Sequence, residues 1–409
     1  MKTGKKTLNL LLILALLASV TPAQGENAKY HDWPSYRGPN HNGVSEEAGW
    51  VAKFPEEGPD ILWKTKLGAG YSAVAVVGES VYAMGHIGGE DIVYRFDAET
   101  GEELARFSYS AALHDNMHAG GPSGTPAVDE SGVYTFSKEG RVYCLDPTTL
   151  AVSWTRDLKK TLGVEVPTWG FSGSPTVNNQ LVFIDAGVII AFDKVTSAIV
   201  WKTKDYGAGY STPVPFIFNR TKCLAAFPAY GLVILNRETG EQLGKYRWET
   251  DYSVNAAVPL IDRERVLISS GYGVGAGLFE LKKGGKPGLV WKSDKLRTHM
   301  NTSLLVEGYL YGFDEGTLTC LDFESGQSKW AERGLGKGSL TAADGKLIIL
   351  SEKGELVIAQ TSGEEFKEIS RGQVLGGRCW TAPVIAGHRI YCRNDKGDLV
   401  CVDVRMGEK

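Results

Sequence analysis

The stretch Met300–Trp330, MNTSLLVEGYLYGFDEGTLTCLDFESGQSKW, carries the repeat that predicts the fold of the whole chain. Four short apolar runs are separated by turns at Glu307–Gly308, Asp314–Gly316 and Phe323–Gly326. Alternation with a period of two residues, with β-branched and aromatic residues between Gly- and Asp-containing turns, is typical of antiparallel strands. The stretch is therefore predicted to form a four-stranded meander.

The same pattern occurs eight times along the chain. The residues that end the third strand of each copy are Asp97, Asp146, Asp193, Asn236, Glu280, Asp322, Gln360 and Asp403. Four strands recurring about every 40 to 50 residues are the signature of β-propeller blades. The last copy, Trp380–Val404, lacks its fourth strand, and Ile61–Leu67 (ILWKTKL) supplies a lone fourth-strand pattern near the other end of the chain. Pairing the two would leave no unpaired sheet edge between the chain ends.

We therefore predict an all-β, eight-bladed β-propeller of four-stranded antiparallel blades, closed by strand 61–67 in the last blade. The propeller is predicted to span residues 61–405 as a single domain. An irregular leader, residues 24–60, precedes it and is predicted to lie across the ring, anchored by Trp33 and Tyr36. Two interpretations of the leader remain open: it simply packs on the ring, or it partly plugs the central channel.

Residues 1–23 have the features of a secretory signal peptide. Three lysines precede an apolar run, Leu8–Val20, and small residues follow near Ala23. Such a run is too short to cross a bilayer, which takes about 20 residues, and cleavage is expected near Ala23. The first cysteine is Cys144, so no lipid anchor on a mature N-terminal cysteine is expected. These features predict an exported protein, periplasmic or extracellular, with no membrane span.

Charge argues against one class of partner. The chain has 44 basic and 48 acidic residues, and loss of the three lysines with the signal peptide moves the net charge from −4 to 41 − 48 = −7. An acidic surface repels phosphate backbones. No nucleic acid is therefore expected as a partner.

Two repeated residue types are predicted to be structural. The fourth strands carry one large residue each: Trp63, Phe107, Trp154, Trp201, Trp248, Trp291, Trp330 and Ile369. An aromatic residue repeated once per blade is predicted to pack between adjacent sheets. The repeated Asp, followed four residues later by Gly as in Asp97 and Gly101, has the spacing of an Asx turn. These aspartates are therefore predicted to build turns and not to act in catalysis.

The repeat resembles that of the pyrroloquinoline-quinone-type (PQQ-like) propellers. The similarity is carried by FDAETGEEL, CLDPTTLAVSW, AFDKVTSAIVW, LNRETGEQL and CLDFESGQSKW, and it extends over Trp63–Val404. The segment Asp32–Pro39, DWPSYRGP, is similar to the D-W-P-x-x-R-G-P opening of secreted bacterial members. The resemblance implies kinship with the quinoprotein alcohol dehydrogenases and with the propeller of the outer-membrane β-barrel assembly machinery. It specifies a fold more than an activity.

For a dehydrogenase of this family the resemblance implies a PQQ cofactor with Ca²⁺, a tricarboxylate stacked between a tryptophan and a disulfide of adjacent cysteines, with an aspartate as base. This sequence has no Cys-Cys pair, no C-x-x-C-H haem attachment and no D-x-D-x-D-G calcium loop. PQQ with Ca²⁺ therefore rests on the resemblance alone, and catalytic residues stay unassigned.

Strand direction predicts where a ligand would bind. If the first strand of each blade descends along the axis, the loops that enter first strands and the turns between second and third strands share one rim. That rim gathers His114, Asp115, His118, Glu165, Trp169, Tyr210, Asp251, Tyr252, Asn255, Arg297, His299, Arg378 and Trp380. Aromatic rings and charges on one funnel are typical of a binding pocket, although ordinary polar loops would look similar. The predicted ligand- or partner-binding residues are Trp169, Tyr210, Tyr252, Asn255, His299, Arg378 and Trp380.

Two further features leave alternatives open. His114 and His118 form the only metal-like spacing, but without a helix or a third ligand they are a weak metal signal. Cys144, Cys320 and Cys401 occupy equivalent third-strand positions and are predicted to be buried singly. A disulfide of Cys379 with Cys392 or Cys401 is compatible with export.

The resulting hypothesis is an exported propeller that acts as a binding or assembly scaffold at the bacterial cell envelope. An envelope protein or a small-molecule ligand would bind on the funnel rim. The alternative is a PQQ-dependent dehydrogenase of an alcohol or sugar-type substrate. No hydrolase or nucleotide-binding motif such as G-x-S-x-G or a P-loop occurs.

Overall fold

The computed structural model of the chain describes Met1 and residues 31–406. Apart from Met1, the predicted signal peptide lies outside the described residues, as do the first residues of the leader. Within the described ranges, no helix has the length and apolar character needed to cross a membrane.

Eight antiparallel sheets form the predicted eight-bladed propeller. Two strands precede the first complete blade, β1 (Val44–Ser45) and β2 (Ile61–Lys66). Blades 1 and 2 consist of β3 (Ala75–Val77), β4 (Ser80–Ile87), β5 (Glu90–Asp97), β6 (Glu103–Ser110), β7 (Ala127–Asp129), β8 (Gly132–Phe136), β9 (Arg141–Leu145) and β10 (Val152–Asp157). A one-turn helix, α1 (Leu158–Leu162), follows β10.

Blades 3 to 5 follow the same order from first to fourth strand. They consist of β11 (Thr176–Asn178), β12 (Leu181–Ala186), β13 (Val188–Asp193), β14 (Ile199–Asp205), β15 (Val214–Phe218), β16 (Thr221–Ala226), β17 (Gly231–Asn236), β18 (Gln242–Arg247), β19 (Leu260–Asp262), β20 (Arg265–Ser270), β21 (Gly275–Lys282) and β22 (Lys286–Ser293). A short 3-10 turn, Asp251–Ser253, lies in the loop between blades 4 and 5.

Blades 6 to 8 complete the ring. They consist of β23 (Leu304–Val306), β24 (Tyr309–Asp314), β25 (Thr317–Asp322), β26 (Ser328–Glu332), β27 (Ser339–Ala343), β28 (Lys346–Leu350), β29 (Glu355–Gln360), β30 (Lys367–Gln373), β31 (Val384–Ala386), β32 (Arg389–Arg393) and β33 (Asp398–Asp403).

The ring closes as predicted, because β2 is the fourth strand of blade 8. It pairs antiparallel with β33, and Trp63 lies opposite Cys401. Arg393 strengthens the junction between blades 8 and 1: its guanidinium is buried and donates to the carbonyls of Ser72 and Met84, both at 2.8 Å. The two ends of the propeller are thus joined by a sheet ladder and by a buried arginine.

The leader crosses the channel near the ends of the first strands. Trp33 exchanges two backbone hydrogen bonds with Val76 of blade 1, at 2.8 and 2.9 Å, and β1 pairs in parallel with β27 of blade 7. Arg37 is buried and donates to the carbonyls of Asn42 at 2.6 Å and Ser303 at 2.8 Å. The leader thus packs on the ring, and its Tyr36 contributes to the wall of the axial cavity, while its action as a plug stays a prediction.

In several blades, a tryptophan on the fourth strand packs against the following blade; we call this the docking contact. In five blades the indole Nε1 donates at 2.8–3.0 Å to a carbonyl in or beside the third-to-fourth turn of the following blade; these pairs are Trp63–Ala98, Trp154–Lys194, Trp201–Arg237, Trp291–Phe323 and Trp330–Ser362. Packing and a satisfied indole N–H are thus combined at one contact.

In blades 1, 4 and 7 the predicted large residue also packs against the next blade, but no indole occupies the docking register. The residues at the docking register there are Ala105, Gly244 and Ser370. Phe107 packs instead on Tyr143, and Trp248 lies beyond β18 and donates to Ser270 Oγ at 2.8 Å. Ile369 lies at the β-bulge one residue before the docking register and packs against the core cluster shared by blades 7 and 8.

The turn that receives the indole is adapted to it. Asp97 Oδ1 accepts the backbone N–H groups of Glu99 and Thr100 at 3.0 and 2.8 Å, which confirms the Asx turn, and the hydrogen bond from Thr100 lowers the pKa of Asp97. Gly101 adopts φ 70°, and a Cβ there would lie 2.6 Å from the ring of Trp63. Blade 2 has Leu150 at this position, where the preceding blade offers Ala105 and leaves room for a side chain.

All six cysteines are free thiols, and each is buried. Cys144, Cys320 and Cys401 are the small residues opposite docking tryptophans. Tyr391 pairs with Cys401, so Cys392 and Cys401 point to opposite faces of the sheet. Neither disulfide considered for Cys379, with Cys392 or with Cys401, is formed.

The docking contact predicts the cost of adding one methyl group. Gly240 has φ 73° and a Cβ would lie 2.6 Å from Trp201, whereas Gly163 has φ 66° and open space around it. Both Gly→Ala changes impose about 1–2 kcal/mol of left-handed strain, and Gly240→Ala should lose about 1–3 kcal/mol more through overpacking. Urea unfolding measures both. Equal losses for the two variants would contradict the docking contact.

Candidate functional site

A cavity of about 320 Å³ lies on the axis at the funnel end of the propeller. Its walls come from the loops that enter the first strands of seven blades, from two second-to-third turns and from the leader. It is lined by Tyr36, Tyr71, Met117, His118, Ser123, Lys138, Trp169, Ser172, Ser174, Tyr210, Thr212, Val254, Ala256, Tyr272, His299, Met300, Asn301, Trp380, Thr381 and Ala382. First strands converge on the axis, so residues far apart in sequence meet here.

One wall is built on Trp380. Its indole stacks on Tyr71 with ring centroids 5.8 Å apart and planes at 25°, and Tyr71 meets His118 edge to face at 5.6 Å. The Arg378 guanidinium lies 4.4 Å from the centroid of the Trp380 ring, and Trp380 Nε1 donates to Glu352 Oε1 at 3.0 Å. The cation–π contact and the hydrogen bond hold the indole in place.

The other wall is built on Trp169. Its ring contacts Tyr210 at 5.9 Å and Tyr252 at 6.1 Å, and its Nε1 donates to the Asn116 carbonyl at 3.0 Å. A chain of rings continues from Tyr252 to Tyr272. The two tryptophans therefore lie on different walls of the same cavity.

The predicted rim residues are distributed unequally around this cavity. Trp169, Tyr210, His299 and Trp380 line it. Arg378 and Tyr252 are not among the lining residues: Arg378 lies on the face of Trp380, and Tyr252 is 70% exposed and contacts Trp169. His299 Nδ1 accepts from Lys337 Nζ at 3.0 Å, and burial lowers the pKa of His299 with a smaller contribution from Lys337.

Asn255 is a correction to the predicted site. Its side chain is fully buried, Nδ2 donates to the Pro228 carbonyl at 2.8 Å, and Oδ1 accepts from Thr250 Oγ1 at 2.8 Å. Because both ends of the amide are bonded within the protein, Asn255 joins two loops and offers nothing to a ligand.

His114 and His118 do not form a chelating pair. His118 Nδ1 accepts the Gly120 N–H at 2.8 Å, and burial, followed by the charge of Lys138, lowers the pKa of His118 to about 4. His114 Nε2 lies 4.0 Å from Glu139 Oε1. Across residues 31–406, no group of three or more His, Cys, Asp and Glu side chains is arranged to hold a metal ion.

Lys138 is the site residue that sequence reasoning missed. It is 3% exposed, lines the cavity, and Nζ donates to the Trp169 carbonyl at 2.7 Å. Burial lowers its pKa to about 8, and the charge of Asp91 acts in the opposite direction. Lys138 lies in the second-to-third turn of blade 2, on the predicted rim, so strand direction could have identified it. Tyr272 lies in the second-to-third turn of blade 5, on the same predicted rim, and sequence reasoning missed it as well.

The cavity does not fit a calcium–quinone pair. None of its lining residues in the described chain is a carboxylate, and Asn301 is the one lining residue there with a side-chain amide oxygen. Ca²⁺ prefers carboxylate and carbonyl oxygens. A tricarboxylate would also face one buried lysine in the lining, which leaves charge unbalanced.

Comparison with known proteins points to one family. A family profile described as outer membrane protein assembly factor BamB matches residues 89–332. The outer membrane protein assembly factor BamB of Burkholderia pseudomallei (strain K96243) is 24% identical over 367 residues, covering 83% of this chain and 86% of that protein.

Two solved structures share the fold. BamB from Moraxella catarrhalis matches with a TM-score of 0.63 and 15% identity, covering 84% of this chain and 99% of that chain. Quinohemoprotein alcohol dehydrogenase from Comamonas testosteroni matches with a TM-score of 0.65 and 14% identity, covering 93% and 82%. At these identities the similarity shows a shared propeller fold alone. The family profile over residues 89–332 confirms the PQQ-like repeat.

Burial of Lys138 predicts a pH-dependent cost to stability. Its folded pKa, about 8, lies below the ordinary 10.5, so the cost of the buried charge is fully present below pH 8 and disappears as pH rises to 10.5. Lys138→Met should therefore be more stable than the parent at pH 7, by at most about 3 kcal/mol, with the advantage shrinking between pH 8 and 10.5.

Thermal unfolding across this pH range measures the effect, and Lys353→Met is the matched control. Lys353 lies in the equivalent turn of blade 7 and is exposed. Asp91 and His118 are the titratable groups whose charges interact with Lys138; neither is changed. A constant difference between parent and Lys138→Met across this range would show that Lys138 carries no buried charge.

Proposed function

The chain belongs to the family of outer membrane protein assembly factor BamB, and on that premise we propose that it is an exported scaffold for the assembly of outer membrane proteins. Its partner is an envelope protein, bound on the funnel rim. Family membership carries the assembly role, and the chemistry of the rim supports the choice of face.

Apolar side chains stand exposed on the rim around the cavity. Met117 is 85% exposed and Tyr252 is 70% exposed, and Arg378 lies nearby on the face of Trp380. Methionine, tyrosine and arginine are enriched in protein interfaces, where they fill pockets on a partner. The rim therefore presents the residue types that a partner loop would bury.

The loops that carry these residues are held in unusual backbone conformations. His114 and Met117 have φ of 54° and 63° in the loop between blades 1 and 2, and Tyr252 and Ser253 have φ of 57° and 58° between blades 4 and 5. Such conformations are costly for residues with a side chain and tend to occur at functional sites. Left-handed residues also occur in the turns of the opposite rim, as at Asn219 and Arg220, so the choice of face rests on the exposed side chains.

The enzyme alternative, a PQQ-dependent dehydrogenase of an alcohol or sugar-type substrate, is supported by the fold alone. The described residues that line the cavity include no carboxylate to hold calcium, and no observation at the site favours the enzyme over the scaffold. It is tested by adding PQQ, Ca²⁺ and an electron-accepting dye to the purified protein. Dye reduction dependent on alcohol or sugar would replace the scaffold role with an enzymatic one.

The scaffold role predicts loss of a partner when the rim is made polar. We expect the full chain, tagged at its carboxyl end and cross-linked in its own cells, to copurify with an envelope protein of the outer membrane assembly apparatus. Met117→Asp with Tyr252→Asp should reduce that recovery at least tenfold, because burying two carboxylates in an interface is costly.

A matched control lies on the opposite rim. Val195 and Ile217 are 64% and 66% exposed there, and Val195→Asp with Ile217→Asp introduces the same charges. Glu99 is unsuitable as an opposite-rim control, because it pairs with Arg389 and Arg405. Loss of the partner in the control but not in the rim variant would mean that the other face binds. Failure of any assembly protein to copurify with the parent would overturn the scaffold role.

A further inference from the structure

We propose that the axial cavity is a binding site for one carboxylate group carried on a flat apolar body, with Lys138 as its counter-charge. This inference goes beyond the scaffold role and does not rest on it, because the cavity lies beneath the exposed rim and is complete within one chain.

The first observation is an uncompensated cation. Buried lysines are normally paired with a carboxylate, yet the bond made by Lys138 Nζ is to the neutral Trp169 carbonyl. The carboxylate that acts on it at longer range, Asp91, is already engaged by His86 Nδ1 at 2.8 Å and by the Tyr109 hydroxyl at 3.3 Å. Two N–H groups of the Lys138 ammonium therefore remain to donate to a ligand bound in the cavity.

The second observation is a set of neutral donors around the lysine. Because His118 Nδ1 accepts a backbone N–H, its Nε2 carries the proton, and the low pKa keeps the ring neutral at pH 7. Ser174 Oγ and Thr212 Oγ1 each accept a backbone N–H at 2.9 Å, so their hydroxyl protons are free to donate. Carboxylate oxygens accept several such bonds.

The third observation limits the charge of the ligand. Two other cations contact lining rings from outside the cavity: Lys337, which is paired with Glu315 at 3.3 Å, and Arg378, which lies on the face of Trp380. Lys138 therefore supplies the one unbalanced positive charge among the described lining residues, and a singly charged carboxylate would neutralise it. A phosphate dianion or a tricarboxylate would leave negative charge in a low-dielectric cavity, which is strongly unfavourable.

The walls define the rest of the ligand. Tyr71 and Trp380 present rings on one side, Trp169 and Tyr210 present rings on the other, and Tyr36 of the leader adds a further ring. Flat rings pack well on such surfaces. The carboxylate belongs either to a free aromatic acid or to the carboxyl-terminal aromatic residue of a polypeptide, and both present the same chemistry.

Isothermal titration calorimetry at pH 7 tests the site. The free-acid probe is 1-naphthoate, with its neutral isostere 1-naphthamide as control. The chain-terminus probe is the peptide Gly-Ser-Gly-Ser-Gly-Phe with a free carboxyl end, with its carboxyl-terminal amide as control. We expect at least one acid to bind, and its neutral counterpart to bind at least tenfold more weakly, since hydrogen bonds to charged groups contribute about 1.5–3 kcal/mol.

Variants separate the lysine from the rest of the cavity. Lys138→Met should weaken acid binding at least tenfold, and Lys138→Gln, which keeps a donor for the Trp169 carbonyl without the charge, should do the same if the methionine variant does not fold. Lys353→Met, in the equivalent turn of blade 7, should bind as the parent does. Binding of naphthoate alone identifies a free acid, and binding of the peptide identifies a chain terminus.

Three results would overturn the inference: neither acid binds, the amides bind as well as the acids, or folded Lys138 variants retain full affinity. None of these results bears on partner recovery by the rim. The carboxylate site and the scaffold role can therefore fail independently.

Discussion

The contact between a fourth-strand indole and the turn of the next blade is the interaction on which the ring depends. Each docking tryptophan gives one blade a hydrogen bond and a packed ring on its neighbour, as Trp201 does with Arg237 and Gly240. The Asx turn presents the carbonyl, and the glycine clears the space above it. Because the contact joins consecutive copies of one repeat, the same short motif sets the spacing between blades around much of the ring.

Near the axis, neighbouring blades are joined by a second repeated interaction, a hydrogen bond from a backbone N–H group to a hydroxyl. Backbone N–H groups two residues before the first strands donate to hydroxyls of the next blade, from Ala73 to Thr125 at 3.1 Å, from Thr125 to Ser174 at 2.9 Å and from Ser174 to Thr212 at 2.9 Å. Small hydroxyl residues are therefore required where the strands converge, since they satisfy edge groups that no ladder reaches. The same convergence brings the entering loops together, so the cavity is a geometric consequence of the ring.

Function depends on what those loops carry. The fold is shared with an outer membrane protein assembly factor and with a quinohemoprotein dehydrogenase, so the fold alone cannot decide between binding and redox chemistry. The cavity residues are more informative: they combine aromatic walls with one buried lysine, and their lining within the described chain has no carboxylate. That chemistry suits recognition of an acid, while the exposed Met117 and Tyr252 above it suit a protein partner.

The repeat pattern by itself determined the all-β propeller, its eight blades and its closure by Ile61–Lys66. Alternation, turn residues and spacing are local properties that can be read directly from the sequence. It also placed Trp169, Tyr210, His299 and Trp380 on one rim through strand direction alone. Tertiary structure decided the rest. Phe107, Trp248 and Ile369 lie outside the docking register, which the strand pairing sets, internal hydrogen bonds removed Asn255 from the site, and the leader placed Tyr36 in the cavity wall. Lys138 became conspicuous only in three dimensions, because burial without an ion pair is a property of its surroundings and has no local sequence signal.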